Sequence, residues 1–314
     1  MSKISIEKLR YALNGETMGT RWSALFYEAS GFDPTPLQHS LQRALDEVDH
    51  QMSTWNADSV LMHLNRAPVG EEVVVPDQLA YVLALGLRIG RASGGAFDVG
   101  MGDVVRAWGF GPNAADMVKI ETSLKRKRRP AYDLIEMTGN RVLKHEEITI
   151  DLNGIAKGFG VDRLAETLIY HGIQSGLVGI DGEMRALGLR PDGEPWAIAV
   201  ETPDRDYRKP HSLLSLQDAA VATSGDYRHW VTVQGRQLSH TMDPKRATPL
   251  KSSPASVTVV AKTCAEADAW ATAFMVLGPS SGAVLTSQQG LSTLFLLRDE
   301  NGEIQSKGVG LLFE

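Results

Sequence analysis

Apolar residues along the chain recur in two rhythms, one near 3.6 residues and one of two, and each predicts its own elements. Leu37, Leu41, Ala44, Leu45 and Val48 fall on one face of a helix over 36–52. A second helix is predicted over 76–93, opened by Pro76 and Asp77 and closed by Gly94-Gly95. A third runs over 154–171, with Ile155, Phe159, Val161, Leu164, Ala165 and Leu168 as its apolar positions. A fourth covers 264–277, with a stripe of Ala267, Trp270, Ala271, Phe274 and Met275. Alternation predicts strands at 21–27 and 142–151, the latter with Ile148 and Ile150 on one side. A glycine-rich hairpin is expected over 175–189, and further strands over 196–201, 219–222, 230–233 and 256–260. Strands gather in the second half and helices flank them without strict alternation, which favours an α+β fold over a doubly wound parallel sheet. No 20–50-residue repeat is present, and no Pro-, Gly- or Ser-rich linker divides the chain.

Composition narrows the classes. The 314 residues amount to about two average domains or one large enzyme. A hydrophobic share of 43% with 22% charged residues excludes wholesale disorder. The lone Cys264 can build neither an internal disulfide nor a cysteine-rich metal site, and reads as a small packing residue. A net charge of −6 argues against a globally basic surface, so no nucleic-acid partner is expected. The basic run Lys125–Arg129 (KRKRR), inside a polar stretch at 113–130, reads first as a solvated loop or helix end and second as a patch steering an acidic partner. Residues 1–10 carry scattered charges with no apolar signal-peptide core and no lipobox cysteine. No window approaches the roughly 20 apolar residues of a membrane span. A cytoplasmic protein without a transmembrane segment is expected from the sequence as it stands; a removed leader would make it periplasmic.

Absent motifs narrow the chemistry further. There is no GxxxxGK[ST] loop, no GxGxxG between strand and helix, and no GxSxG elbow. The eight histidines show no HExxH or similar metal spacing. Carboxylate, hydroxyl, lysine and backbone chemistry remains, which suits a hard cation such as Mg²⁺.

Three segments carry such groups. In DLNGIAKG (151–158) a strand ends at Asp151, and a glycine-containing turn leads into a helix with Lys157 in its first turn. Helix-start N–H groups and a lysine suit a phosphate; an ordinary strand-to-helix turn with Asp151 as the cap is the equal alternative. In AEADAWATA (265–273) Asp268 and Thr272 lie i, i+4 on one helix face among small residues. They read first as a capping or buried hydrogen-bond pair and second as part of a Mg²⁺ site. ATSGDY (222–227) and SHTMDP (239–244), the latter with His240 and Asp243 beside a proline, read individually as turn chemistry.

Together these segments resemble the FAD:protein FMN transferase family, the ApbE family of flavin transferases, over residues 18–278. Thr17-Met-Gly-Thr20, Met52-Ser-Thr-Trp55 and Gly94-Gly-Ala-Phe-Asp98 come first, then the three segments in order, then EADAWATAFMVLG (266–278). The resemblance implies an α+β domain over 14–312, two mixed or antiparallel-sheet lobes with flanking helices around a shared FAD and Mg²⁺ site, with 1–13 as an N-terminal extension. It implies Mg²⁺-dependent transfer of the FMN part of FAD to a threonine hydroxyl of a target protein, with AMP leaving. The target class is a respiratory or reductase flavoprotein subunit. Carried over by position, the metal ligands are the Asp268 and Thr272 side chains and the carbonyls of Gly154 and Ala271. FAD contacts fall to Met18, Trp55, Ala96, Phe97, Asp98, Asp151, Lys157 and Met242. Lys157 and the metal would stabilise charge. His240 and Asp243 are candidate bases by chemical type.

The chain departs from the family pattern twice. Asp181-Gly182 stands where the family usually has Gly-Gly, and Arg246-Ala247 where it usually has Thr-Gly. The metal and lysine positions are intact, so the departures bear on docking of the target protein. FAD hydrolysis to FMN and AMP, and flavin binding without catalysis, are the alternative activities of the same scaffold.

Overall fold

The computed structural model describes residues 8–204, 207–227, 230–233, 236–250 and 254–313. Its centre is an eight-stranded sheet in which every neighbouring pair is antiparallel. In spatial order its strands are Lys8–Thr17, Thr20–Ala29, Gly176–Ile180, Glu183–Leu187, Ala220–Gly225, Ser256–Ala261, Ser292–Arg298 and Ile304–Val309. The first strand takes in residues 8–13, which the family resemblance left outside the domain.

Period-two alternation sorts the strand side chains between two cores. Trp22, Ala24, Phe26, Val178, Ile180, Val257, Val259 and Phe295 face helices Thr35–Met52, Ala156–Tyr170 and Cys264–Gln289. Their neighbours Leu177, Val221, Val260, Leu294 and Leu296 face a separate hairpin, Trp196–Glu201 with Pro210–Leu216, through Trp196, Ile198, Val200 and Leu214. A smaller three-stranded sheet (Glu72–Val74, Arg141–Lys144, Ile135–Thr138) and helices Val60–Arg66 and Asp77–Ala92 build the second lobe. The largest core runs through both lobes, from Leu61, Leu79 and Leu83 to Val257 and Phe274.

All four expected helices form, within two residues of their expected starts, and on Thr35–Met52 the five expected apolar residues are buried. The strand expected over 142–151 ends at Lys144; beyond it, Asn65 replaces a partner strand by accepting from Ile150 N (2.7 Å) and donating to Ile150 O (2.9 Å). The fourth helix continues past Leu277 to Gln289, broken at Gly278 (φ 71°, ψ 177°) before Pro279. It is long and apolar enough by length and composition for a membrane span, the one such helix among the described residues. Its Ala267, Trp270, Ala271 and Phe274 are nevertheless packed in the core. The basic run starts at the last residue of helix Met117–Lys125, and its three arginines are paired rather than free: Arg126 (3.7 Å) and Arg128 with Asp103, and Arg129 with Glu146 (2.9 Å). Cys264 is fully buried on the helix-facing side of the sheet, beside Trp22, Leu164 and Ile180, as a packing residue should be.

Candidate functional site

Two hairpin turns and two helix starts meet at one end of the sheet. Met18-Gly19 joins the first two strands, and Asp181-Gly182 joins the next two. Trp22 pairs with Ile180, so the two turns lie side by side. All four turn residues have positive φ, including Met18 (47°) and Asp181 (51°). Two consecutive positive φ values match the right-handed strand twist, and Asp-Gly is a favoured pair for such a turn. Met18 is not; its left-handed backbone is strain of the kind that gathers at functional sites.

The turns border a cavity of about 1540 Å³ between the two lobes. Met18, Trp55, Ala96, Phe97, Asp98, Asp151, Gly154, Lys157, His240, Met242, Asp268 and Thr272 all line it. Trp55 is 62% exposed at its wall, so it is not a core tryptophan. Two residues stand apart. Ala271 is buried within its helix and does not line the cavity. Asp243 does not line it either. Its Oδ1 accepts from Lys245 N (2.9 Å) and Arg246 N (3.3 Å), and its Oδ2 lies 3.6 Å from Arg246 Nε, so the carboxylate is spent on its own turn.

Asp151 does not cap the helix that follows. The helix begins at Ala156, and the Asp151 carboxylate instead accepts from Asn153 N (2.8 Å) and Asn153 Nδ2 (3.1 Å). That leaves the helix start facing the cavity. Asp98 Oδ1 accepts from Gly100 N and Ala131 N, which fixes the glycine-rich loop as the opposite wall. Burial raises the pKa of both carboxyls.

Lys157 is the electrostatic centre. Its Nζ lies 2.7 Å from Glu183 Oε1 and 3.7 Å from Asp181 Oδ2. Burial opposes its charge, but Glu183, Asp268 and Asp181 outweigh that and raise its pKa, so it stays protonated. Asp268 is buried; its Oδ2 accepts from Gly158 N (3.1 Å), and its other oxygen has no hydrogen bond among the described residues. Burial and the Glu183 charge push its pKa up to about 7, while Lys157 and the Gly158 N–H pull it down. Thr272 Oγ1 is 3.3 Å from Ser224 Oγ. At Gly154 a Cβ would come within 3.2 Å of Thr272 Oγ1 and of Phe97 Cε2, so glycine keeps open the space between its backbone and that hydroxyl.

Among the described residues no group of three or more His, Cys, Asp or Glu side chains could hold a metal. One carboxylate oxygen, one hydroxyl and nearby carbonyls are nevertheless a hard-oxygen donor set, of the kind Mg²⁺ completes with water and substrate oxygens. The residues therefore fit such a cation and fit zinc poorly. Glu183 escaped the sequence reading. Its signal was an acid opening a strand directly after the Asp-Gly turn.

An antiparallel sheet flanked by helices, with one lysine and one hard-oxygen set on a large interlobe cavity, defines an α+β protein with a shared interlobe site. More particularly, the chain belongs to the ApbE family, whose model matches residues 18–295. The FAD:protein FMN transferase of Vibrio cholerae serotype O1 is 37% identical over 294 residues, covering 92% of this chain and 88% of its own length. That of Escherichia coli K12 is 30% identical over 299 residues, 91% of this chain and 84% of its own. The structure of the flavin transferase ApbE from Vibrio cholerae matches with a TM-score of 0.84 at 32% identity, covering 96% of this chain and 98% of that one. The apo flavinyl transferase ApbE of Pseudomonas stutzeri matches at 0.83 and 32%, covering 96% and 95%.

Proposed function

We propose that this chain is a Mg²⁺-dependent FAD:protein FMN transferase, acting as one unit whose two lobes share the cavity. The observation that carries the reading is the convergence of Lys157, Asp268 and Thr272 on one cavity wall, from two helices over a hundred residues apart in sequence. The substrate's diphosphate is already activated, so the reaction needs alignment and charge neutralisation more than a covalent catalyst. The threonine oxygen of the target forms a bond to the FMN phosphorus, and the bond from that phosphorus to the bridging oxygen breaks, so that AMP leaves with that oxygen. Lys157 holds its proton and stabilises the charge that develops on the phosphoryl oxygens. Asp268, Thr272 and the Gly154 carbonyl would hold Mg²⁺, which supplies Lewis-acid neutralisation of the diphosphate when bound. The Ala271 carbonyl is the fourth position implied by family resemblance. His240 takes the hydroxyl proton in this reading, because it lines the cavity and the Asp243 carboxylate is occupied by its turn. Trp55 offers an exposed indole face for the flavin ring.

Incubation with FAD, Mg²⁺ and a protein carrying a Ser/Thr-Gly-Ala-Thr-like segment should give a covalently flavinylated, fluorescent band and one AMP per flavin transferred. Release of free FMN and AMP at the same rate without any acceptor would replace transfer by hydrolysis. FAD binding with neither product would remove catalysis.

A further inference from the structure

One buried carboxylate lies outside the cavity and has no part in the chemistry above. Asp162 is 4% exposed on helix Ala156–Tyr170. Its Oδ1 accepts from Cys264 N and its Oδ2 from Ala265 N, both at 2.9 Å. These are the first two residues of the helix that carries Asp268 and Thr272. Thr263 Oγ1 takes the next N–H, from Glu266 (3.3 Å). The amides that a helix start leaves without partners are thus met, two of them by another helix. The debt is returned: Asp268 Oδ2 accepts from Gly158 N, at the start of the helix that carries Asp162. Each helix lends a carboxylate to the first turn of the other. Strand Glu183–Leu187 braces helix Ala156–Tyr170 at two points, because residues two apart share a strand face. Glu183 pairs with Lys157 at 2.7 Å, and Arg185 Nη1 with Asp162 Oδ1 at 2.7 Å.

We infer that Asp162 is a positioning residue for the metal site, with Arg185 as its brace. It pins the start of helix Cys264–Gln289 at a fixed height against helix Ala156–Tyr170. Asp268 lies four residues, roughly 6 Å, along the axis from Cys264, so that pin sets where Asp268 and Thr272 stand relative to Gly154. A capping role confined to stability would leave the metal site indifferent to Asp162. This inference rests on the Mg²⁺ assignment proposed above.

The test is Mn²⁺ alone, titrated into the full chain without FAD and followed by the EPR signal of free Mn²⁺. Asp162→Asn keeps one acceptor but turns an NH₂ toward the second amide. The Mn²⁺ Kd is expected to rise about tenfold, as for other partners that orient metal ligands. Asp162→Glu should recover most of that loss. Leu168→Ala, in the core at the far end of the same helix, should lower the unfolding temperature and leave the Kd unchanged. Arg185→Gln, which leaves the capping carboxylate in place, should raise the Kd about threefold and serves if Asp162→Asn does not fold. A wild-type Kd in folded Asp162→Asn, or in Arg185→Gln when that is the variant available, overturns the inference. If the wild type takes up no Mn²⁺, the metal assignment falls first. Hydrogen exchange at the Gly158 amide then decides, and protection unchanged in Asp162→Asn or Arg185→Gln overturns the positioning role.

Discussion

The crossing of helices Ala156–Tyr170 and Cys264–Gln289 and the turn Met242–Pro249 both border the cavity, and they are held in opposite ways. At the crossing most support comes from another element. Gly158 N reaches Asp268, Lys157 reaches Glu183, and a Cβ on Gly158 would lie 2.4 Å from Cys264 O. At the turn most support is internal. Asp243 accepts from Lys245 N and Arg246 N, Asp243 O accepts from Ala247 N (2.8 Å), and the other lobe adds one bond, Trp108 Nε1 to Ala247 O (3.0 Å). Ala247 has a left-handed φ (54°), a conformation that glycine takes without steric cost. A departure from the family pattern therefore survives at the turn with its backbone shape intact. At the crossing there is no slack to absorb one.

The comparison is most exposed to failure at Asp268. Asp268→Ala should abolish Mn²⁺ binding and lower transfer by at least about 10³-fold, the scale of several kcal/mol of lost charge stabilisation; unchanged Mg²⁺-dependent transfer would remove the metal from the crossing. Next in size, Gly158→Ala should cost about 2–3 kcal/mol in urea unfolding, because the new methyl meets backbone rather than a side chain that can yield. A loss below about 0.5 kcal/mol would mean the helices can part freely.

The pH dependence gives the third test. The folded-state pKa of Asp268 is raised from 3.8 to about 7. Its contribution to stability is therefore fully present below pH 3.8 and is lost as pH rises through about 7. A cation that needs the carboxylate has no proton to displace above pH 7 and must displace one below it. Mg²⁺ should raise the unfolding temperature more at pH 8 than at pH 6, and Mn²⁺ affinity should fall up to tenfold per unit as pH drops below 7. A pH-independent affinity between 6 and 8 would place the cation elsewhere.

The smallest effect is expected at the turn. Ala247→Gly relieves a left-handed alanine worth about 1 kcal/mol and removes a buried methyl worth about 0.8 kcal/mol. The two nearly cancel, so stability should stay within about 0.5 kcal/mol and transfer should be unchanged. A larger loss in urea unfolding would show that the turn depends on the small apolar cluster of Met101, Val104 and Met242 around it.

Much of the fold was legible because amphipathic spacing is a local property. The faces of Thr35–Met52 and Ala156–Tyr170 needed no partner to be recognised. The outer strand Ile304–Val309 was missed because its exposed, polar face leaves no strong alternation. Strand Lys8–Thr17 was missed although Leu9, Tyr11 and Leu13 alternate along it. The Asp268/Thr272 pair and Lys157 were visible as residue types at telling positions. Glu183, Asp162 and Asn65 were not, since each acts on a residue at least 26 positions away.

The sequence by itself determined the four main helices, the 175–189 hairpin and the oxygen-and-lysine chemistry, because backbone propensity and side-chain type act within a few residues. Tertiary structure alone decided which of those groups meet. It turned Asp243 into a turn brace, kept His240 on the cavity wall, and closed Asp162, Arg185, Glu183 and Lys157 into one frame. The physical reason is range. Hydrogen bonds and ion pairs form at about 3 Å, and only the folded sheet brings residues 157, 183 and 268 within that reach of one another or of each other's helix.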